Sequence, residues 1–306
     1  MLLRNFLFHR VSEETDSMWP PMKPELFSRI IQHLTKNYTV VSLEEYLADP
    51  PAFSSSKKIA TVMFDDGYKD NIEYAAPILR QFKCPASFYV VTDCIDRNVP
   101  TWTYIVDNVF QQTKKASIEL PFDYVPGPLK SVDLKGAGKE QQVRQVKPWM
   151  KYLTNKQRKQ IMHEIITQCN DVLLPSGKMM SWSDINQLST QNFIIGSHSH
   201  THPLLASLAD EKEISDELRV SYQRIKEKTG KSPATISYPI GSFDERVMKI
   251  AQQEGYLYGL AVEQKFFQYD RDNLFAIPRV ELYQEAWWKT VLRMKGIYSS
   301  LKQLWR

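Results

Sequence analysis

The 306-residue sequence predicts an α/β protein built on parallel strands, either an open sheet or a barrel. Two observations predict it. Short apolar runs alternate with segments of helical periodicity along most of the chain. Two clusters of ionisable residues, VMFDDGYKDN and IIGSHSHTHP, each close such an apolar run. In parallel sheets and barrels alike, chemistry collects at the C-terminal ends of the strands.

Taken in order, NFLFHRV reads as a buried strand, and ELFSRIIQHL as a helix with Leu26, Phe27, Ile30, Ile31 and Leu34 at helical spacing. TVVSLEEYL adds a short strand and a helix opened by a capping box, Ser42 with Glu45. IATVMF is a strand, DNIEYAAPILRQF a helix and ASFYVV another strand. Residues 97–180 or so interrupt the rhythm with VPGPLK, a GAG and many Lys and Gln, plus helical pattern at TYIVDNVFQQ and NKQRKQIMHEIITQC. Because strands resume afterwards, this stretch reads as a largely helical insertion within one domain spanning 1–306. Ser181 then caps SWSDINQLS, NFIIGSH is a strand, and a polar helix runs from about Asp210 to Lys228. TISYPIG is a strand, ERVMKIAQQEG a helix closed by glycine, and YGLAV and LFAIPRVEL are strands.

Bulk composition excludes several classes. With 42% hydrophobic residues the chain can bury a substantial core. A net charge of +4, from 39 basic and 35 acidic residues, is too balanced to argue for nucleic acid. Cys84, Cys94 and Cys169 are odd in number and widely spaced, which suits a reducing compartment better than a disulfide framework. MLLRNFLFHRVSEE is too short an apolar stretch for a signal peptide, and no run approaches transmembrane length. A cytoplasmic protein is the expectation.

The chemistry-bearing residues sit at strand ends. Asp65 and Asp66 fall where a strand gives way to a turn, with Gly67 supplying backbone freedom. His198, His200 and His202 fall within five residues at the end of another strand. Alternate residues of an extended segment point the same way, whereas in a tight loop the outer pair could converge instead. Two histidines and a carboxylate are a recurrent ligand set for catalytic zinc. With Asp66 as the carboxylate ligand, the cation would neutralise its charge. Asp65 would then stay unligated and serve as a base.

These residues resemble the first two motifs of the polysaccharide deacetylase family, carbohydrate esterase family four with its NodB-homology domain: F-D-D-G and G-S-H-S-x-x-H-P. FHRV, MSWSDINQLS and SYPIG are similar to further family segments, so the resemblance runs from about residue 5 to about residue 282. It implies a distorted (β/α) barrel with a metal-centred groove. Carried over, it makes Asp65 the catalytic base and Asp66, His198 and His202 the ligands of a divalent ion, zinc or another first-row metal. His200 falls on a spacer position. The arginine that often opens the third motif is replaced by Ser237, and Arg279 in IPRVEL is the candidate to supply the missing guanidinium. The third motif's oxyanion donor falls on the Ile240 N–H. The family's late histidine acid has no counterpart after His202, and His9 is the candidate replacement.

The resemblance implies hydrolysis of an N-acetyl group from an amino-sugar saccharide. With no signal peptide, a cytoplasmic saccharide intermediate is expected, free or carried on a lipid. Deformylation, O-deacetylation and a saccharide-binding pseudoenzyme are the alternatives. The tail, about 285–306, places Trp287, Val291, Met294, Tyr298, Leu301 and Trp305 on one helical face amid Lys and Arg. That pattern suits a helix lying on the inner face of a membrane or, alternatively, one packed on the barrel.

Overall fold

Every residue of Ile59–Phe64 is buried, as expected of a strand covered on both faces, and this strand anchors a nine-stranded sheet. The fold is a computed structural model that describes residues 2–55, 58–136 and 139–297. Its first half comprises β1 (Leu2–Phe8), α1 (Pro24–Asn37), β2 (Thr39–Val40), α2 (Leu43–Ala48), β3 (Ile59–Phe64), α3 (Ala76–Gln81), β4 (Ser87–Val90) and α4 (Thr92–Arg97). The inserted segment adds α5 (Trp102–Gln112), β5 (Ser117–Glu119), β6 (Ser131–Asp133), α6 (Lys139–Met150) and α7 (Asn155–Gln168). The sheet resumes with α8 (Trp182–Thr190), β7 (Ile194–Ser197), α9 (Glu211–Thr229), β8 (Thr235–Ser237), α10 (Glu245–Gln253), β9 (Tyr258–Leu260), β10 (Phe267–Gln268), β11 (Val280–Glu281) and α11 (Trp287–Met294).

The main path of the sheet runs β10-β1-β3-β4-β7-β8-β9, with β2 beside β3 and β11 beside β1. All ladders are parallel except β1 with β10, so the ends of β1, β3, β4, β7 and β8 share one rim. The sheet curls into a half-barrel. Ile277 bridges Leu260 of β9 while Val280 and Glu281 pair with Phe6 and Leu7 of β1, so one short segment joins the two sides. Asn5, buried inside β1, donates to the Pro278 carbonyl at 2.9 Å and accepts from Thr61 Oγ1 at 2.8 Å. That pair fixes the segment on which Arg279 stands.

Local chemistry accounts for most boundaries. Pro24 opens α1, which buries Phe27, Ile30, Ile31 and Leu34. Ser42 caps α2 by accepting from the Glu45 N–H, which is one half of the expected box; Ser181 and Asp184 form a complete one at α8. The helix expected over DNIEYAAPILRQF opens instead as a π turn, Asn71–Ala75, before α3. Pro77 has no N–H to donate backwards, and the wider turn accommodates that loss.

The insertion has its own core, built around Val106, Phe110, Ile118, Val132, Val146 and Ile161. It contains the β5–β6 hairpin besides its helices, and strands of three residues are too short to show a period of two in the sequence. Its exit segment ties back beneath the Asp-Asp-Gly turn: Lys69 N–H donates to Lys178 O at 2.8 Å, and Met180 N–H to Gly67 O at 3.0 Å.

The described part of the tail follows the second of its two readings. Trp287, Val291 and Met294, the first half of the apolar stripe, pack against the main core, and Met294 is fully buried. The Trp287 ring lies 5.6 Å from that of His33 and 4.2 Å beneath the Arg29 guanidinium. Gly296, with φ 74°, follows the end of α11. Tyr298, Leu301 and Trp305 lie outside the described residues. Among the described residues, no helix is long and apolar enough to cross a membrane.

Candidate metal and catalytic site

β3 ends at Phe64 and delivers Asp65 and Asp66 to the rim; β7 ends at Ser197 and delivers His198. Both turns leave ordinary backbone space: Asp66 has φ 75°, Gly67 φ 85°, Ser199 φ 64° and His202 φ 60°. Non-glycine residues hold such conformations only where the surroundings impose them, and they concentrate at functional sites. A Cβ at Gly67 would also meet Val90 Cγ1 at 3.1 Å and Ile95 Cδ1 at 3.2 Å.

Asp66, His198 and His202 are all buried, and one ligand atom from each lies within 4.8 Å of the other two. His198 Nε2 and His202 Nε2 sit 3.4 and 3.3 Å from the same oxygen, Asp66 Oδ1. His198 Nδ1 is 2.7 Å from the Ser237 carbonyl, which can only accept, so Nδ1 carries the hydrogen. In the neutral form that a metal requires, the Nε2 lone pair would then face Asp66. His202 Nδ1 is buried with no hydrogen-bond partner among the described residues. Two imidazoles and a carboxylate converging this way fit a divalent ion, and the carbonyl behind His198 is the kind of support that orients a ligating imidazole. His200 bonds Thr92 Oγ1 through Nδ1 at 2.9 Å and takes no part in the cluster.

Asp65 faces a different set of groups. Arg279 grips it with two parallel bonds, Nη1 to Oδ1 at 2.8 Å and Nη2 to Oδ2 at 2.9 Å. Ser237 Oγ donates to Oδ2 at 3.0 Å and accepts from Arg279 Nη2 at 2.9 Å. Arg279 Nε donates to the Ala261 carbonyl at 3.1 Å, which locks the guanidinium plane. Arg279 is fully buried, so this is an interior charge with every nitrogen committed.

Burial by itself would raise both aspartates. Arg279 and His198 overcome it at Asp65 and hold that carboxyl below the usual range. His198 and His202 carry Asp66 well below it. Burial lowers His202, and Asp66 does not fully offset this. At His198 burial is outweighed by Asp65, Asp66 and the Ser237 carbonyl, and its pKa rises.

A pocket of about 210 Å³ opens on these groups and is also lined by His9, Trp19 and Ile240. Ile240 has φ 58° and ψ 15°, a left-handed conformation unusual for a β-branched residue. His9 Nδ1 is 3.4 Å from Glu281 Oε1, and its ring meets the edge of Trp19 at 5.5 Å. Thus all the residues singled out in the sequence, Asp65, Asp66, His198, His202, Arg279, Ile240 and His9, line this pocket or contact a residue that does.

The family model described as polysaccharide deacetylase matches residues 54–259. The chain belongs to the polysaccharide deacetylase family. Solved structures agree on the fold. The Streptococcus pyogenes deacetylase PplD, in complex with acetate, superposes with a TM-score of 0.65 at 14% identity, covering 96% of this chain and 98% of that one. A de-N-acetylase from Aggregatibacter actinomycetemcomitans gives 0.64 at 16% identity, over 96% of this chain and 100% of the other. A polysaccharide deacetylase from Bacillus cereus gives 0.61 at 17% identity, over 97% and 69%. No curated protein sequence matches the chain.

Several contributors to the site were not apparent in the sequence. Ser237, which stands where an arginine was expected, bridges Arg279 and Asp65. Glu281 was legible in principle, because it lies two residues after Arg279 and alternation along a strand puts both on one side. Asn5, Trp19, Thr103, Lys147 and Lys151 carry no local signal, since only the tertiary fold brings them to the site.

Proposed function

We propose that this deacetylase removes an N-acetyl group from an amino-sugar saccharide, with zinc as the ion best suited to its two imidazoles and one carboxylate. The observation that carries the reading is a carboxylate kept ionised, Asp65, beside an ion-binding triad in one small pocket. That pocket is below the roughly 300–1,000 Å³ of drug-sized sites, which suits an acyl group on a single sugar unit.

Asp66, His198 and His202 would hold the ion, which supplies Lewis-acid chemistry by polarising the acyl carbonyl and lowering the pKa of a water. Asp65 accepts the proton of the attacking water. Its Oδ2 already accepts from Arg279 and Ser237 whereas Oδ1 accepts from Arg279 alone, so Oδ1 retains a lone pair for that proton. Arg279 keeps the base charged and aimed. The Ile240 N–H donates to the acyl oxygen as negative charge builds there. His9 passes its proton to the departing amine nitrogen, with Glu281 orienting the ring.

The test is a hydrolysis screen of the ion-loaded protein against N-acetyl, N-formyl and O-acetyl amino sugars, quantifying both the free acid and the free amine. Acetate with an equal yield of amine is expected. Turnover restricted to formyl or O-acetyl substrates would transfer the activity to those bonds. Saccharide binding without hydrolysis of any substrate would leave a binding protein.

A further inference from the structure

The mechanism leaves two cations in the metal pocket without a task. Lys147 lies in the last turn of α6, and Lys151 lies one helical turn later, just beyond the end of the helix. Both line the pocket that holds Asp65, Asp66, His198 and His202, and both come from the insertion rather than from a barrel strand. They differ in their partners. Lys147 is ion-paired with Asp107 of α5, a buried carboxylate whose second oxygen has no hydrogen-bond partner among the described residues. Lys151 is exposed and makes no ion pair among the described residues. The pocket's other ionisable pair, His9 with Glu281, closes on itself.

Long lysine side chains normally extend into bulk water unless something holds them. Here Asp107 pairs with Lys147 and fixes it against the wall, whereas Lys151 stands at the mouth with no direct ion pair among the described residues. Burial and the like charge of Lys147 lower its pKa, and Glu281 and Asp107 oppose that only from a distance. A neutral sugar would gain only a hydrogen bond from that ammonium to a hydroxyl or carbonyl oxygen. An anionic one would gain a charge-assisted bond beside a wall of low dielectric, where such bonds are strongest.

Resting on the deacetylase reading, we propose that the substrate carries an anionic group on the acylated sugar or its immediate glycosidic linkage, and that Lys151 recognises it. A pocket of about 210 Å³ leaves no room for the two sites to be separated by further sugar units. A phosphate on the anomeric oxygen meets the requirement, whether it links the sugar to a lipid or to a nucleotide.

The experiment uses the intact, ion-loaded protein and pairs of acetamido sugars, each supplied as its methyl glycoside and as its 1-phosphate. Binding is measured by calorimetry and turnover by acetate release, for the natural chain, Lys151→Gln and Lys151→Arg. The 1-phosphate should bind at least tenfold more tightly than the methyl glycoside, and added salt should narrow the gap. Lys151→Gln should abolish that preference through KM, with kcat and the methyl glycoside unaffected, and Lys151→Arg should restore much of it. Equal binding of both forms by the natural chain would overturn the proposal. So would a Lys151→Gln variant that loses kcat on both forms alike, since that would make Lys151 a proton donor. If the 1-phosphate binds through Lys151 but no acetate appears, the hydrolytic reading fails while this one stands. Longer phosphodiesters, one with a lipid and one with a nucleotide, then separate the two sources.

Discussion

Asp65 and Asp66 are chain neighbours, equally buried, and held by different partners: one by a guanidinium and a hydroxyl, the other by two imidazoles. That division predicts divergent behaviour under substitution. Asp65→Asn should retain the ion, because Asp65 is not among the converging ligands, yet lose about a hundred- to ten-thousand-fold in rate, the usual scale for a lost general base. Side-by-side ion analysis and kinetics check this; near-normal turnover would place the base elsewhere. Arg279 predicts a pH effect. It holds Asp65 below the ordinary carboxylate range, so the base stays ionised well into acid. In Arg279→Gln the burial that raises the carboxyl is no longer opposed. The acid limb of kcat/KM should therefore move to higher pH, and an unmoved limb would remove Arg279 from the account. The candidate ligands and the candidate base were legible in the sequence because each set lies within a few residues on one strand end. The support behind them was not, because Asn5, Ser237 and Arg279 meet only once β1, β8 and the 277–281 segment are adjacent.

Among the elements, β7 is the one whose geometry the site depends on most directly, since it ends one residue before His198. Gly196 lies inside it, and a Cβ there would stand 2.3 Å from Tyr89 Cδ1 and 3.2 Å from the Thr235 carbonyl oxygen. Neither neighbour is free to retreat, because Tyr89 is fully buried and Thr235 O is backbone. Gly196→Ala should therefore cost about 1–3 kcal/mol of stability by overpacking and should weaken ion affinity by displacing His198. Denaturant unfolding and an ion titration on the same sample measure both effects; unchanged values for both would mean that β7 yields without strain. The long helices and buried strands were visible from periodicity. The π turn before α3 and the β5–β6 hairpin were not, since one arises from a single proline inside a helical pattern and the other from strands too short to carry a pattern.

For the molecule as a whole, the insertion and the tail decide how the half-barrel is covered. The insertion places Lys147 and Lys151 on the candidate metal pocket and ties its exit segment under the Asp-Asp-Gly turn. The amphipathic pattern of the tail was read correctly as a stripe, but a stripe does not specify what it faces, and Trp287, Val291 and Met294 face the core. A chain ending at Gln284 should thus be destabilised by several kcal/mol, at about 1.5–3 kcal/mol for each large side chain lost from burial. Thermal unfolding of the two chains tests this; equal stability would mean that α11 contributes nothing to the core. The central claim is that a divalent ion held by Asp66, His198 and His202 makes this fold a hydrolase, and it is tested most directly by ion content and hydrolysis measured together. The natural chain should bind one divalent ion, lose hydrolysis on chelation and regain it when the ion is returned, while His202→Ala retains neither ion nor activity. Full ion content in His202→Ala, or hydrolysis that survives complete removal of the ion, would contradict the account.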